Sequence, residues 1–364
     1  MPAGCRDSGE IRPVERPNPT PGPSQVLVRV RAAALNYRDQ AVAVGTYIGG
    51  PLSRDTIPLS DGAGDVVAAG SGVTKFKPGD RVVATFNQIP PDGSPFGARQ
   101  ALGSPLDGML AELVVLYEDG VLPIPEGLSY EEAACLPCAG VTAWHALMHA
   151  GRPLTAGDTV LALGTGGVST FALQFAAAAA ARVIVTSSSD EKIARGRSLG
   201  ASDGINYRTT PDWDQEVLKL TRGRGVDCVI EVGGVGTLNK SFQSLAFGGK
   251  VVLIGLLAEP NGGPVNPYTL MPKRGNLHGI FVGDRAMFVE MNKAIEANGI
   301  RPVVDKVFDF DDTPAAYRHH ASGDLVGAEL ILKLEDGRKI GIKIADADGG
   351  ICQRDHGGGA CSCC

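Results

Sequence analysis

No window of the 364 residues approaches the ~20 consecutive apolar side chains that a membrane-spanning helix requires. The longest apolar stretch, Val168–Ala181, is shorter and rich in alanine. The opening residues, Met1–Glu10, contain no apolar run of the kind that marks a secretory leader. Basic charge is not in excess. Against 34 Lys and Arg stand 40 Asp and Glu, a net charge of -6, which disfavours nucleic acid as a partner. Disulfide-forming cysteine is also scarce. Of 8 cysteines, Cys352, Cys361, Cys363 and Cys364 crowd the C-terminus, leaving Cys5, Cys135, Cys138 and Cys228 for the body. Such a chain is expected in a reducing cytoplasm, with a small molecule rather than a membrane or nucleic acid as its partner.

What is present is ordinary globular chemistry: 43% hydrophobic and 20% charged residues, in a chain long enough for two domains. The first part reads as short strands separated by turns, at Val26–Ala34, Gly62–Gly72, Gly79–Phe86 and Ala111–Leu116, with a long Pro/Gly loop over Asn87–Asp107. Ser129, with Glu132 three residues on, marks a helix start. From Thr159 strands and helices alternate. Six strand candidates (Thr159–Leu163, Val183–Thr186, Gly204–Tyr207, Cys228–Val232, Val251–Leu256 and His278–Val282) match a doubly wound parallel sheet of the dinucleotide-binding kind. Strand texture returns at Val303–Phe310 and Ala328–Leu334. The expected organisation is a β-rich domain over 1–138, an α/β dinucleotide domain over 139–298, return strands over 299–334, and an unpatterned, mostly disordered tail over 335–364.

The cofactor argument rests on one turn. The strand Thr159–Leu163 runs into Gly164, Thr165, Gly166, Gly167, Val168 and Ser169, and a helix follows. Gly164 allows the tight turn and Gly166 lets the backbone approach a pyrophosphate. Ser169, in the third glycine's place, is small enough for close helix–strand packing. The free N–H groups of the helix N-terminus then face the phosphates. At the end of the second strand an acid would bind a ribose 2′-OH, but Ser187 stands there, followed by Ser188 and Ser189. Hydroxyls here, with Lys192 on the next helical turn and Tyr207 closing the adenine side, favour a 2′-phosphate and hence NADPH. Asp190 is expected to cap the following helix.

Four further motifs carry a resemblance: ALNYRD from Ala34 to Asp39, SDGAG from Ser60 to Gly64, KPGDRV from Lys77 to Val82, and LPCAGVTA from Leu136 to Ala143. Together with the glycine turn they make the chain similar, from Val26 to Leu334, to the medium-chain dehydrogenase/reductase superfamily, specifically its zinc-independent, quinone-oxidoreductase-like branch. The resemblance implies a GroES-like β-rich catalytic domain interrupted by a Rossmann domain, an active site in the cleft between them, and a homodimer formed through the last Rossmann strands. It places Thr142, Val232, Gly233, Ile254, Gly255, Phe281 and Val282 on the nicotinamide side. Ser188, Lys192 and Tyr207 match the adenosine-phosphate contacts.

The same resemblance bears on metal. Asn36 stands in the place of the first zinc-binding Cys of zinc-dependent relatives, Ser60 in that of the His, and Asp61 in that of the neighbouring Glu. Only Cys138 remains, and one thiolate does not make the three-ligand site of a catalytic zinc, so no metal is expected. His145 and His149, four apart, lack the Glu of a zinc-protease helix. Without a Lewis acid, reduction of a polarised C=C or a quinone is easier than alcohol deprotonation. The expected reaction is therefore hydride transfer from NADPH to an α,β-unsaturated carbonyl or quinone, with Asn36, Tyr47 and Asp61 as catalytic candidates. The alternatives are a zinc-free NADP-dependent alcohol dehydrogenase or carbonyl reductase, and a non-catalytic NADPH-binding protein.

Overall fold

The computed structural model describes residues 11–48, 50, 52, 54–89, 100–255, 257, 263–323, 329–333 and 341–344. The chain begins with β1 (Ile11–Val14), β2 (Gln25–Leu35), the short helix α1 (Tyr37–Ala43), β3 (Asp61–Ala69), β4 (Arg81–Ala84), β5 (Leu113–Tyr117) and β6 (Val121–Pro123). The strand β2 is the centre of this domain. Val26, Val28 and Val30 alternate inward, and its last residues, Ala32–Leu35, are buried throughout. It pairs antiparallel with β3 and β5, β3 pairs with β4, and β4 pairs with β6.

Next comes α2 (Tyr130–Ala134), capped as the sequence expects: Ser129 Oγ accepts from the Glu132 N–H at 3.2 Å, and Glu132 reaches back to the Ser129 N–H at 2.9 Å. A helical run over 136–149 follows. Its middle is α3 (Val141–Trp144), and it is widened to π geometry on either side.

The chain then alternates through β7 (Thr159–Leu163), α4 (Gly167–Ala178), β8 (Arg182–Ser187), α5 (Asp190–Ser198), β9 (Asp203–Asn206), α6 (Trp213–Leu220), β10 (Val226–Glu231), α7 (Leu238–Ser244), β11 (Leu245–Leu253), β12 (Asn276–Gly279) and α8 (Arg285–Asn298). The six strands form one parallel sheet in the order β9-β8-β7-β10-β11-β12. The order reverses between β7 and β10, so a crevice opens at the C-terminal ends of these two strands, where such sheets bind ligands. The chain returns through β13 (Val304–Asp309), α9 (Thr313–Ser322) and β14 (Glu329–Lys333), and β14 pairs antiparallel with β2. The architecture is thus the expected one, a Rossmann domain inserted in a GroES-like β-rich domain. One continuous core joins the two halves, running from Ala32 and Phe86 to Val160, Phe171 and Ile331. Phe86 and Phe281 meet edge to face across the junction at 5.8 Å.

Four local expectations change. The helix α9 occupies the stretch between the two expected return strands, where no element was expected; Pro314 in its first turn and Gly323 at its C-cap, with φ of 69°, delimit it. The first residues of β11, Leu245–Gly249, precede the expected strand at Val251. The strand β12 ends at Gly279, so Phe281 and Val282 lie beyond it. Finally, Gly341–Ile344, assigned to the unpatterned tail, forms β15 antiparallel to β1, because β1 offers an edge that a late segment can pair with. The rest of 335–364, residues 1–10 and the heart of the Asn87–Asp107 loop, 90–99, lie outside the described residues. Among the described residues no helix is long and apolar enough to cross a membrane.

Candidate active site

The glycine turn is built as its sequence implies. Gly164 has φ of 75°, a conformation that a side chain would strain, and its N–H faces Thr186 Oγ1 at 3.3 Å. Gly166 is the N-cap of α4. A Cβ on either glycine would meet nothing within 4 Å, so the space before the helix N-terminus is open. Ser169 is buried, and its Oγ donates to the Leu163 carbonyl at 2.7 Å, locking helix to strand where a third glycine would only have allowed approach. Thr165 lines a small crevice with Gly164, Lys192 and Arg195. Gly167 and Val168 open α4.

At the adenosine end Ser187 is buried and ends β8, with its carbonyl accepting from the Tyr207 N–H at 3.0 Å; Ser188 is half-buried and Tyr207 exposed. The expected cap is corrected. Ser189, not Asp190, caps α5 by accepting from the Lys192 N–H at 3.2 Å. Asp190 is the first helical residue, and its carboxylate accepts from Asn206 Nδ2 at 2.9 Å. The Lys192 ammonium does not stand free: it donates to the Gly323 carbonyl at the end of α9, at 2.9 Å. Arg195, which the sequence analysis does not single out, sits one turn further along α5 and lines the same crevice.

The residues expected on the nicotinamide side lie on separate segments of the chain. Glu231 ends β10 fully buried and accepts from the Gly233 N–H at 2.8 Å, the Gly234 N–H at 3.0 Å, Thr237 Oγ1 at 2.6 Å and Ser241 Oγ. Burial raises its carboxyl pKa, and these four donors oppose the rise. Glu231 thereby fixes the turn through Val232 and Gly233. Gly255 lies against it; a Cβ there would meet the Val232 carbonyl at 2.4 Å, while the Ile254 N–H donates to the Glu231 carbonyl at 2.9 Å. Val282 adopts φ of 49°, rare for a β-branched residue, and its carbonyl contacts His145 Nδ1 at 2.6 Å. Thr142 is buried on α3, and His145 follows it in the same helical run.

The third group surrounds α1. Asn36 is its N-cap and is buried; its N–H donates to Asp39 Oδ2 at 2.8 Å, and its side-chain Nδ2, which makes no close hydrogen bond, is near enough to the Asp61 carboxyl to oppose the rise of its pKa. Asp61 is fully buried. It accepts from Ser60 Oγ at 2.6 Å and from the Cys138 N–H at 2.8 Å. Burial pushes its carboxyl up to about 7 against these bonds, and burial pushes Asp39 up to about 6. Arg38, inside the ALNYRD motif, joins this group without having been expected there. Its guanidinium is buried, donates to the Leu102 carbonyl at 2.9 Å, and lies 5.0 Å from the ring centre of Tyr47 and 4.7 Å from that of Phe86. The adjacent Arg38–Asp39 pair, two residues past Asn36, was the available signal.

These donors do not fit a zinc ion. An amide, a hydroxyl already bonded to a carboxylate and a single thiol stand where three ligands are needed, and no group of three His, Cys, Asp or Glu among the described residues is placed to hold a metal. The open glycine cradle does fit a dinucleotide.

Residues 22–126 match the family model of the alcohol dehydrogenase GroES-like domain, and residues 167–297 match that of the zinc-binding dehydrogenase. The chain is 45% identical to a zinc-type alcohol dehydrogenase-like protein of Schizosaccharomyces pombe, over 86% of the chain and 92% of the relative. It is 31% identical to a quinone oxidoreductase of Pseudomonas aeruginosa, over 86% and 92%. Among solved structures, a putative alcohol dehydrogenase from Sinorhizobium meliloti superimposes with a TM-score of 0.78 at 39% identity, covering 88% of the chain and 93% of the relative. The chain belongs to the medium-chain dehydrogenase/reductase superfamily and is an oxidoreductase of that type, working with a nicotinamide cofactor.

Proposed function

We propose that the protein is a zinc-independent, NADPH-dependent reductase of α,β-unsaturated carbonyl compounds or quinones. The observation that carries this reading is the state of the would-be metal ligands: Asp61 is tied to Ser60 and Cys138, and Asn36 presents a buried amide donor that makes no close hydrogen bond and has the Asp61 carboxyl as its neighbour. A conjugated carbonyl needs no Lewis acid, because its own oxygen accepts the developing charge and a preorganised donor stabilises it. The bound nicotinamide supplies the hydride. Asn36 Nδ2 hydrogen-bonds the substrate oxygen, and Tyr47 Oη gives a proton to the enolate carbon or the quinone oxygen. Asp61, engaged on both oxygens, positions the 136–140 segment rather than touching substrate.

NADPH is favoured over NADH because no carboxylate stands at Ser187, Asp190 is held by Asn206, and Lys192 and Arg195 line the crevice beside Gly164. The homodimer forms through the edge strand β12, which pairs only with β11 among the described residues and leaves Leu277 43% exposed. Steady-state assays with 2-enones, quinones and simple alcohols test the reading. NADPH-driven enone or quinone reduction should exceed NADP-driven alcohol oxidation, and the reverse order overturns it. The second reading, a zinc-free alcohol dehydrogenase or carbonyl reductase, draws on the names of the alcohol dehydrogenase-like relatives and uses the same Asn36 and Tyr47.

A further inference from the structure

We propose that Arg38 is a positioning residue that holds the Tyr47 hydroxyl ready as the proton donor and then stabilises the tyrosinate left behind. This rests on the reductase reading above. A buried cation is expensive, and a buried ion pair is seldom better for stability than apolar packing. Yet the Arg38 guanidinium is only 6% exposed, 3.5 Å from the Asp39 carboxylate. Each of its two terminal nitrogens gives one N–H to a carbonyl, Nη1 to Leu102 at 2.9 Å and Nη2 to Ser104 at 3.3 Å, which fixes the plane of the fork. Its faces are set against the rings of Tyr47 and Phe86, and its Nε has no hydrogen-bond partner. The cation is thus immobilised beside the phenol in a place where water does not screen it.

The consequence follows from the proton's path. When the Tyr47 O–H bond breaks, a C–H bond forms at the enolate carbon, or an O–H bond at the quinone oxygen. The phenolate stays negative until a solvent proton replaces the one lost. Two effects oppose that charge: burial raises the Tyr47 pKa, and so do the nearby Cys138 and Asp39. The Arg38 cation, 5.0 Å from the ring centre, opposes that rise by its charge. It therefore makes Tyr47 a better acid than its burial would allow. Tyr317, buried in α9, is coupled to the same Arg38–Asp39 pair, so the pair is also enclosed from the return domain.

The test uses the full-length protein with Arg38→Gln, which keeps an N–H donor for the Leu102 carbonyl but loses the charge, and Arg38→Lys, which keeps the charge. Tyrosine ring-carbon NMR titration, with Tyr47→Phe assigning the signal, should show the Tyr47 titration moved to higher pH in the Gln variant and returned most of the way in the Lys variant. In NADPH-dependent reduction of a 2-enone, Tyr47→Phe should lower kcat by about 100-fold. Arg38→Gln should lower it by about tenfold, as for a pKa change of one unit. The double variant should be no slower than Tyr47→Phe. An unmoved Tyr47 titration in Arg38→Gln overturns the proposal, as does a Gln effect of equal size in the Tyr47→Phe background, or a Lys variant as shifted as the Gln one. Absence of enone and quinone turnover in the unmodified protein would instead sink the reductase reading, and the titration would still decide for Arg38.

Discussion

The backbone N–H of Cys138 donates to Asp61 Oδ2 at 2.8 Å, joining residues 77 apart in sequence. This bond pins the LPCAGVTA segment onto β3 and sets Asn36, Ser60 and Cys138 around one buried carboxyl. Because burial raises that carboxyl to about 7, and Asp39 to about 6, the folded state holds protons that the unfolded chain has released. The sign is therefore fixed. Stability from these groups is complete below the ordinary carboxylate pKa of about 4 and is lost as pH rises through about 6 to 7. Denaturant midpoints measured from pH 4.5 to 8 should fall with rising pH on account of these groups, and Asp61→Asn should flatten the trend. A variant with undiminished pH dependence would show that Asp61 ionises freely.

Two glycines separate cofactor space from packing. A Cβ at Gly166 meets only open space, whereas one at Gly64 would lie 2.0 Å from the Arg29 carbonyl oxygen. Gly166→Val should abolish dinucleotide binding in calorimetry while the thermal midpoint of the cofactor-free protein changes little. Gly64→Ala should destabilise the fold outright, because two paired strands would have to separate. A Gly166→Val protein that still binds NADPH would place the pyrophosphate elsewhere.

Cofactor preference is expected to lie in the α5 N-terminus. Lys192→Ala should raise the KM for NADPH by about tenfold or more, the loss of one charge-assisted hydrogen bond, and leave NADH unaffected. Ser187→Asp should reverse the preference, since a carboxylate accepts a ribose hydroxyl and repels a phosphate. Equal effects on both cofactors would mean that Lys192 acts only through its bond to Gly323.

Away from the site, the Lys250 ammonium donates to the carbonyls of Ala146, Leu147, Ala150 and Arg152 at 2.8 to 3.1 Å, closing the end of the 136–149 helical run. Burial lowers its pKa. Lys250→Met should cost about 2 kcal/mol in denaturant unfolding through the carbonyls left unpaired, with kcat for any substrate reduced less than stability. A neutral or stabilising result would show that water fills the vacancy.

Much of this molecule is written locally. The strand Thr159–Leu163 lies where five apolar-to-β-branched residues precede GTGG, and all five are buried. The helix starts at Ser129 and Gly166 follow from capping and turn chemistry. The α9 helix was not legible, because its Ala–Ala–Tyr core has no strong period and its partners α1, β1 and β2 are distant in sequence. Cap identity at α5 was also hidden: Ser189 and Asp190 both make good caps, and only the path of the chain chose between them.

The sequence by itself determined the order of elements, the glycine cradle and the absence of a zinc-type ligand pattern at Asn36, Ser60 and Asp61, because each depends on residue type and near neighbours. Tertiary structure alone decided that Asp61 is bound to Cys138, that Lys192 reaches Gly323, and that Arg38 stands beside Tyr47 and Phe86. Those are relations between segments that only the folded chain brings together, and the charge, burial and proton affinity of a side chain are set by what surrounds it in space rather than by what adjoins it along the chain.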